Sequence, residues 1–144
     1  MAGLNIYQRI NKIMAEVSYV RKDAEVTGYM AVTYDQVLSV SRKAFVKHGV
    51  VIVPKQIEGK IIIHKDAAAK VPVKMLTYEG LYTISFVNMD DPKDFISISV
   101  QAHACDNGDK APGKCMTYAT KTGVLKVLSL ETGVNDEARG YEPT

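Results

Sequence analysis

The hydrophobic period of the sequence changes near residue 105, and this change limits the folds open to the chain. Across residues 95–104 apolar and polar side chains alternate strictly, which predicts a half-exposed β-strand. From Pro112 onward apolar residues recur at three- and four-residue steps, which predicts a helix that starts at this proline. The turn-forming residues 106–108 separate the two patterns. We therefore expect a strand, a tight turn and a helix at the centre of the fold.

The predicted last helix has two unlike faces. Its apolar stripe consists of Met116, Ala119, Gly123, Val127 and Leu130. The other side carries Lys114, Thr117, Tyr118 and Lys121. Free N–H groups in the first turn and the helix dipole favour an anion at Gly113, which Lys110 and Lys114 flank. The spacing fits a phosphate site and an ordinary solvated basic face equally well.

Two further helices are expected toward the N-terminus. The first covers residues 5–17, where Asn5 and Gln8 form a capping box and Arg9 is left for solvent or a neighbour. The second begins at Thr33, with Gln36 completing another capping box, and stops at Gly49. His48 is interpreted as a residue of this helix end and not as a catalytic one. Residues 18–32 are expected to form an extended or looped connection.

The remaining strands complete an antiparallel sheet. Residues 50–53 predict a buried strand that Pro54 restricts to an edge or an end. Residues 75–89 are the longest strand candidate, and the turn at 90–94 joins them to the alternating strand. Residues 60–64 could form another short strand, but the surrounding segment 57–71 has no firm period and is interpreted as an excursion between strands. The predicted class is α+β: an antiparallel sheet with a β-β-β-α core, two N-terminal helices and a basic C-terminal helix.

Length and composition narrow the function classes. A chain of 144 residues fits one domain, here residues 1–130. Residues 131–144 are interpreted as a loose acidic tail, with a truncated C-terminal region as the alternative. The net charge is only +2, so a nucleic-acid site must come from local clustering of cations. No stretch approaches the roughly 20 apolar residues of a membrane span, no secretory signal is evident, and two cysteines give no disulfide framework. We expect a cytoplasmic protein without a membrane partner.

Residues Gly108–Cys115 nearly match the phosphate-binding pattern G-x-x-x-x-G-K-[ST]. Cys115 lacks the hydroxyl that such loops place on Mg²⁺, and Pro112 has no N–H to donate. Only one helix and a tail follow, whereas this kind of fold needs further βα units. A nucleotide-binding protein is therefore an unfavoured alternative.

The sequence proposes no catalytic residue, no metal site and no cofactor. His103, Cys105 and Cys115 do not have a standard zinc spacing. The acidic residues of the 90–94 turn are first of all a turn composition. No nucleophile and base have a recognisable local spacing, so the protein is not expected to be an enzyme.

Sequence-independent binding of single-stranded nucleic acid is the chemistry that remains. It needs lysines for phosphates, helix-terminal N–H groups and an aromatic ring for base stacking. These are supplied by Lys110, Lys114, Thr117, Tyr118 and Lys121. No helix-turn-helix, finger or RNP sequence indicates base reading in a groove.

Three blocks of the chain resemble the Erf (essential recombination function) family of phage single-strand DNA annealing proteins. They are GDKAPGKCMTYATKTGVLKVLSL at 108–130, VNMDDPKDFISISV at 87–100 and GYMAVTYDQVLSVSRKAFVKHGVVIVP at 28–54. The chain departs from the family pattern in several places. Cys115 replaces a small alanine, and Thr122-Gly123 replaces Tyr-Ala. Met30 and Ala31 stand where a basic and an aromatic residue are common.

The resemblance implies a β-β-β-α core, homo-oligomeric rings or filaments, and ATP-independent annealing of complementary strands in phage homologous recombination. Transferred residue by residue, it assigns DNA contact to Lys110, Lys114, Thr117, Tyr118 and Lys121, with Arg21 and Lys22 as further candidates. It also suggests a host single-strand binding protein or a phage exonuclease as partners, in the host bacterial cytoplasm. A single-strand binder that does not anneal is the alternative.

Overall fold

The computed structural model describes residues 3–17, 24–26, 29–31, 34–65, 74–106 and 109–130. In order these form α1 (Ile6–Glu16), β1 (Ala24–Val26), β2 (Tyr29–Ala31), α2 (Tyr34–His48), β3 (Val50–Lys65), β4 (Lys74–Asn88), β5 (Phe95–Asp106) and α3 (Ala111–Val127). Strands β3, β4 and β5 form an antiparallel sheet in that order, and β1 pairs with β2. Three helices and a three-stranded antiparallel sheet among the described residues confirm the α+β class.

The three-stranded sheet packs one face against the helices. Tyr82, Ile84 and Phe86 of the central strand are fully buried on this face, and Val100 and Ala104 of β5 lie beside them. The other face is open, and there Ser85 and Ser97 place their hydroxyls 2.8 Å apart across the strands. The alternation of residues 95–104 thus predicted the two faces correctly.

Helices α1 and α2 complete the core through narrow apolar stripes. Helix α1 buries Ile6, Ile10 and Ile13. The Phe45 ring of α2 lies 6.3 Å, centroid to centroid, from the ring of Phe86. These contacts hold α1 and α2 against the sheet.

The ends of α1 and α2 largely follow the sequence. The Asn5 side chain accepts a hydrogen bond from the Gln8 N–H, and the Gln8 side chain accepts one from the Asn5 N–H, both at 2.9 Å. Gly49 ends α2 in the left-handed region, with φ at +67°, where a side chain would be strained. Thr33, the predicted cap of α2, lies outside the described residues.

The prediction of an excursion at residues 57–71 is wrong for its first part. Strand β3 continues to Lys65 and pairs with β4 along its whole length. Its register shifts between Gln56 and Glu58. A bulge inserts one extra residue, so the β3 residues that share the sheet face of Tyr82, Ile84 and Phe86 change from even to odd numbers. A test for one continuous period therefore misses this strand; residues 66–71 lie outside the described part.

Arg9, predicted to be left for solvent or a neighbour, meets neighbours, because it is 1% exposed. Its Nη2 donates to Asp90 Oδ2 at 2.8 Å, and its Nη1 donates to the carbonyls of His48 and Gly49 at 3.1 and 3.2 Å. Its Nε donates to the Leu4 carbonyl at 3.0 Å. One guanidinium thus joins α1, the end of α2 and the β4–β5 turn.

Helix α3 is rotated relative to the predicted stripe. Ala119 and Gly123 are buried as predicted, whereas Met116, Val127 and Leu130 are only partly buried. The row that meets the sheet is instead made of small residues four apart: Ala111, Cys115, Ala119 and Gly123. Small side chains let the helix axis come close to the strands, and this close approach decides which face turns inward.

Candidate nucleic-acid interface

Close packing on the sheet fixes which side of α3 is left outside. A Cβ atom built on Gly123 would lie 2.9 Å from Ile84 Cγ1, so helix and sheet touch there with no spare room. Cys115 is completely buried. Burial raises the pKa of the Tyr82 hydroxyl well above its ordinary value, and the neighbouring Cys115 raises it further. The row of small residues therefore packs on the sheet, and the opposite side of the helix faces outward.

The predicted contact residues of α3 lie on this outward side. Lys110 and Lys114 are exposed, and Tyr118 is 44% exposed. Thr117 and Lys121 are half-buried. Lys121 Nζ lies 5.7 Å from the centre of the Tyr118 ring, a cation–π distance. The structure thus brings these five residues together, while Arg21 and Lys22 lie outside the described residues.

The start of α3 is open to solvent. The helix begins at Ala111, with Pro112 in its first turn and Lys110 as the residue before it. The Lys110 side chain makes no capping hydrogen bond. A Cβ atom on Gly113 would meet no other atom within 4 Å. Backbone N–H groups of a first turn are donors that an anion can use when they are accessible.

Asp106 is a member of this surface that the sequence analysis did not single out. This last residue of β5 places Oδ2 2.5 Å from Lys114 Nζ. Its side chain is 10% exposed, against 45% for that of Lys114. The hydrogen bond to Asp106, with its negative charge, raises the pKa of Lys114. The face is therefore less basic than its run of lysines predicts.

Asp106 precedes Lys114 by eight residues and belongs to a different element, so helical spacing could not reveal the pair. The only sequence signal for the pair was the position of Asp106 at the end of a strand. A tight turn leads from that strand into α3, so its last residue lies near the first turn of the helix. The predicted basic character of α3 rested on the helix alone and omitted this neighbour.

The near-match to a nucleotide-binding loop does not form such a site in the described residues. Cys115 stands at the Mg²⁺-binding position of the pattern, and its side chain faces the core. Pro112, in the first turn, offers no N–H. Gly108 lies outside the described residues. The orientation of Cys115 argues directly against this alternative.

Residues considered for a metal do not come together. His103 and Cys105 lie on the open face of β5, whereas Cys115 is in the core. Asp90 binds Arg9, and Asp94 Oδ2 accepts the N–H of Ile6 at 2.8 Å. Over the ranges that the structure covers, no three His, Cys, Asp or Glu residues are arranged to hold a metal ion.

The fold and surface define a small α+β protein that displays lysines and a tyrosine on its last described helix. The ERF superfamily model matches residues 6–142, nearly the whole chain. The chain therefore belongs to the ERF superfamily. No curated protein matches it, and no solved structure does. Among the described helices, none is long and apolar enough to cross a membrane.

Proposed function

We propose that this protein binds single-stranded DNA along the outward side of α3 and anneals complementary strands without nucleotide hydrolysis. The supporting observation is that Lys114, Tyr118 and the half-buried Lys121 lie on one side of α3 in a chain of the ERF superfamily. Several copies acting together would hold one strand. The setting would be phage recombination in the host cytoplasm.

Phosphate neutralisation is the first step of the proposed mechanism. Lys110 and Lys114 stand at the start of α3, where the N–H of the exposed Gly113 and the helix dipole add to their attraction for a phosphate. Each phosphate contact releases counterions, so affinity falls as salt rises. Lys114 stays protonated at neutral pH, because its partner Asp106 favours the charged form.

Base stacking is the second step. The Tyr118 ring is exposed and has Lys121 beside it, an arrangement that suits a stacked base next to its own phosphate. The Thr117 hydroxyl would donate a hydrogen bond to the DNA backbone. None of these groups reads a base edge, so binding would be largely independent of sequence.

Pairing would then proceed without ATP. Binding through phosphates leaves the base edges accessible and lowers the repulsion between two strands. A complementary strand can be sampled, and duplex formation provides the free energy. Partners such as a host single-strand binding protein or a phage exonuclease would act before or after this step.

An annealing assay tests the proposal. Two complementary oligonucleotides, one carrying a fluorophore and the other a quencher, are mixed with the protein in the absence of nucleotide and Mg²⁺. Accelerated quenching supports annealing. Tight binding with slowed quenching would instead establish a protein that protects single strands and blocks pairing.

A further inference from the structure

The three-stranded sheet has two edges with opposite properties. The β3 edge carries features that discourage pairing with another strand: Pro54, the bulge at 56–58, Lys55 and Lys60. The Gly49–Met89 pair is hydrogen-bonded, with Met89 N 2.9 Å from Gly49 O, so alternation turns the nitrogen of Pro54 away from β4. The donor is thus missing where an added strand would need it.

The β5 edge carries none of these features. From Phe95 to Cys105 the strand has no proline, no glycine and no formally charged residue. Its pairing with β4 runs without a register shift. A long, uncharged edge without a bulge is a template for another strand. Among the described residues, no strand pairs with its outer side.

The direction of the free backbone groups on β5 follows from one hydrogen bond. Asn88 N donates to Asp94 O at 3.0 Å, which makes that pair hydrogen-bonded. Alternation along the antiparallel ladder then turns the N–H and C=O groups of odd-numbered β5 residues outward. These residues are Phe95, Ser97, Ser99, Gln101, His103 and Cys105.

The β1–β2 hairpin, in turn, lacks a larger sheet to pair with among the described residues. Ala24–Val26 pairs with Tyr29–Ala31, and this pair is separate from the three-stranded sheet. The hairpin does not pack extensively against any other described element. An isolated two-stranded hairpin is at best marginally stable in water, and strands of three residues make it weaker still. It would gain most of its stability by joining a larger sheet.

We propose that the β1–β2 hairpin of one copy adds to the β5 edge of a second copy. This proposal rests on the proposed function, in which several copies act together, and it specifies how those copies contact each other. Edge and hairpin are different surfaces, so each copy offers one of each, and the interface is heterologous. Repetition of a heterologous contact gives a ring or a filament.

The first test blocks the β5 edge. Ser99→Pro removes an outward N–H and leaves the ladder to β4 intact, because edge positions of this kind tolerate proline. Ser99→Ala is the matched control. Sedimentation velocity should find wild type and Ser99→Ala as assemblies, and Ser99→Pro at the 15.8 kDa mass of a single chain. Circular dichroism checks the fold, and Ser99→Lys replaces the proline variant if that one unfolds.

The second test disrupts the hairpin and then mixes the variants. Glu25→Pro/Met30→Pro changes a cross-strand pair and should also give single chains, whereas Glu25→Ala/Met30→Ala should not. Each proline variant retains one intact half of the interface. Their mixture should therefore show 1:1 complexes by native mass spectrometry, and no larger ring.

Three outcomes would overturn the pairing: a wild-type protein that is a single chain at every concentration, a folded Ser99→Pro that assembles normally, or a mixture that gives no complex. DNA binding is measured on the same samples. A wild-type protein that is a single chain and still binds and anneals DNA would refute this interface alone. Normal assemblies without any DNA binding would refute the α3 site alone.

Discussion

The buried Arg9 and the lysines on the outward side of α3 have opposite environments. Arg9 is 1% exposed, and each of its three nitrogens donates a hydrogen bond to a protein acceptor. Lys114 and Tyr118 on α3 are exposed, and Lys121 lies beside the tyrosine ring. A buried guanidinium with many acceptors holds elements together, whereas exposed lysines can still exchange their partners for a ligand. Sequence patterns treat the two alike, and burial distinguishes them.

The largest effect is expected from Arg9. Arg9→Ala removes hydrogen bonds to the carbonyls of Leu4, His48 and Gly49 and to the half-exposed Asp90 carboxylate, and it empties the space of a fully buried side chain. We expect a loss of about 2–4 kcal/mol of unfolding free energy. Urea denaturation followed by circular dichroism measures the change. Arg42→Ala, at an exposed position of α2, is the control and should alter stability by less than about 0.5 kcal/mol. Equal losses in both variants would refute the structural role of Arg9.

The two glycines of α3 sharpen the contrast between the inner and outer sides of this helix. Gly123→Ala drives a Cβ into Ile84 and should destabilise the protein by about 1–3 kcal/mol. Gly113→Ala meets no atom and should stabilise it by roughly 0.5–1 kcal/mol through helix propensity. Thermal unfolding of the two variants shows whether each one is more or less stable than wild type. A stabilising Gly123→Ala would mean that α3 does not pack this closely.

Asp106 allows a finer test of the exposed cluster. Asp106→Asn removes the carboxylate that competes with phosphate for Lys114, whose side chain is 45% exposed, so affinity for single strands should rise roughly two- to fivefold, the scale of a solvent-screened ion pair. Fluorescence anisotropy measures it. Asp91→Asn, in the exposed β4–β5 turn, makes the same charge change far from α3. An equal rise in both would show that only net charge matters.

The smallest effect concerns the ion pair between α1 and α2. Hydrogen bonds from Lys47, at 2.9 Å, and His48, at 2.7 Å, lower the pKa of Glu16. Because the folded pKa lies below the ordinary value of 4.5, this contribution to stability is present above that pH and is lost as pH falls through the folded pKa. The urea midpoints of wild type and Glu16→Gln should therefore differ at pH 7 and converge as the pH falls below 4.5 and through the folded pKa. A difference that does not change with pH would contradict this.

The sequence predicted what depends on local periodicity. The alternation in β5, the capping box at Asn5 and the stop at Gly49 all appear in the structure. It failed where distant residues decide the outcome. The bulge in β3 reverses the phase of the strand. The partner of Arg9 is 81 residues away, and the partner of Lys114 lies in another element. No local spacing carries this information.

The candidate site was predictable only in part for the same reason. Helical spacing placed Lys114, Tyr118 and Lys121 on one side, which the structure confirms as a geometric grouping. Contact with DNA stays a prediction for all of them. The inward orientation of Cys115 was not predictable, because it depends on how closely α3 approaches β4.

The salt dependence of single-strand affinity tests the central claim most directly. The variants are Lys114→Ala/Lys121→Ala and the control Lys12→Ala/Lys43→Ala, which removes the same charge from exposed positions on α1 and α2. Anisotropy of a labelled oligonucleotide over a salt series should show weaker binding for the first variant and a log–log slope reduced by about 0.7 for each lost phosphate contact. The control should match wild type. If the α3 variant keeps the wild-type affinity and slope, single-stranded DNA does not bind at this helix.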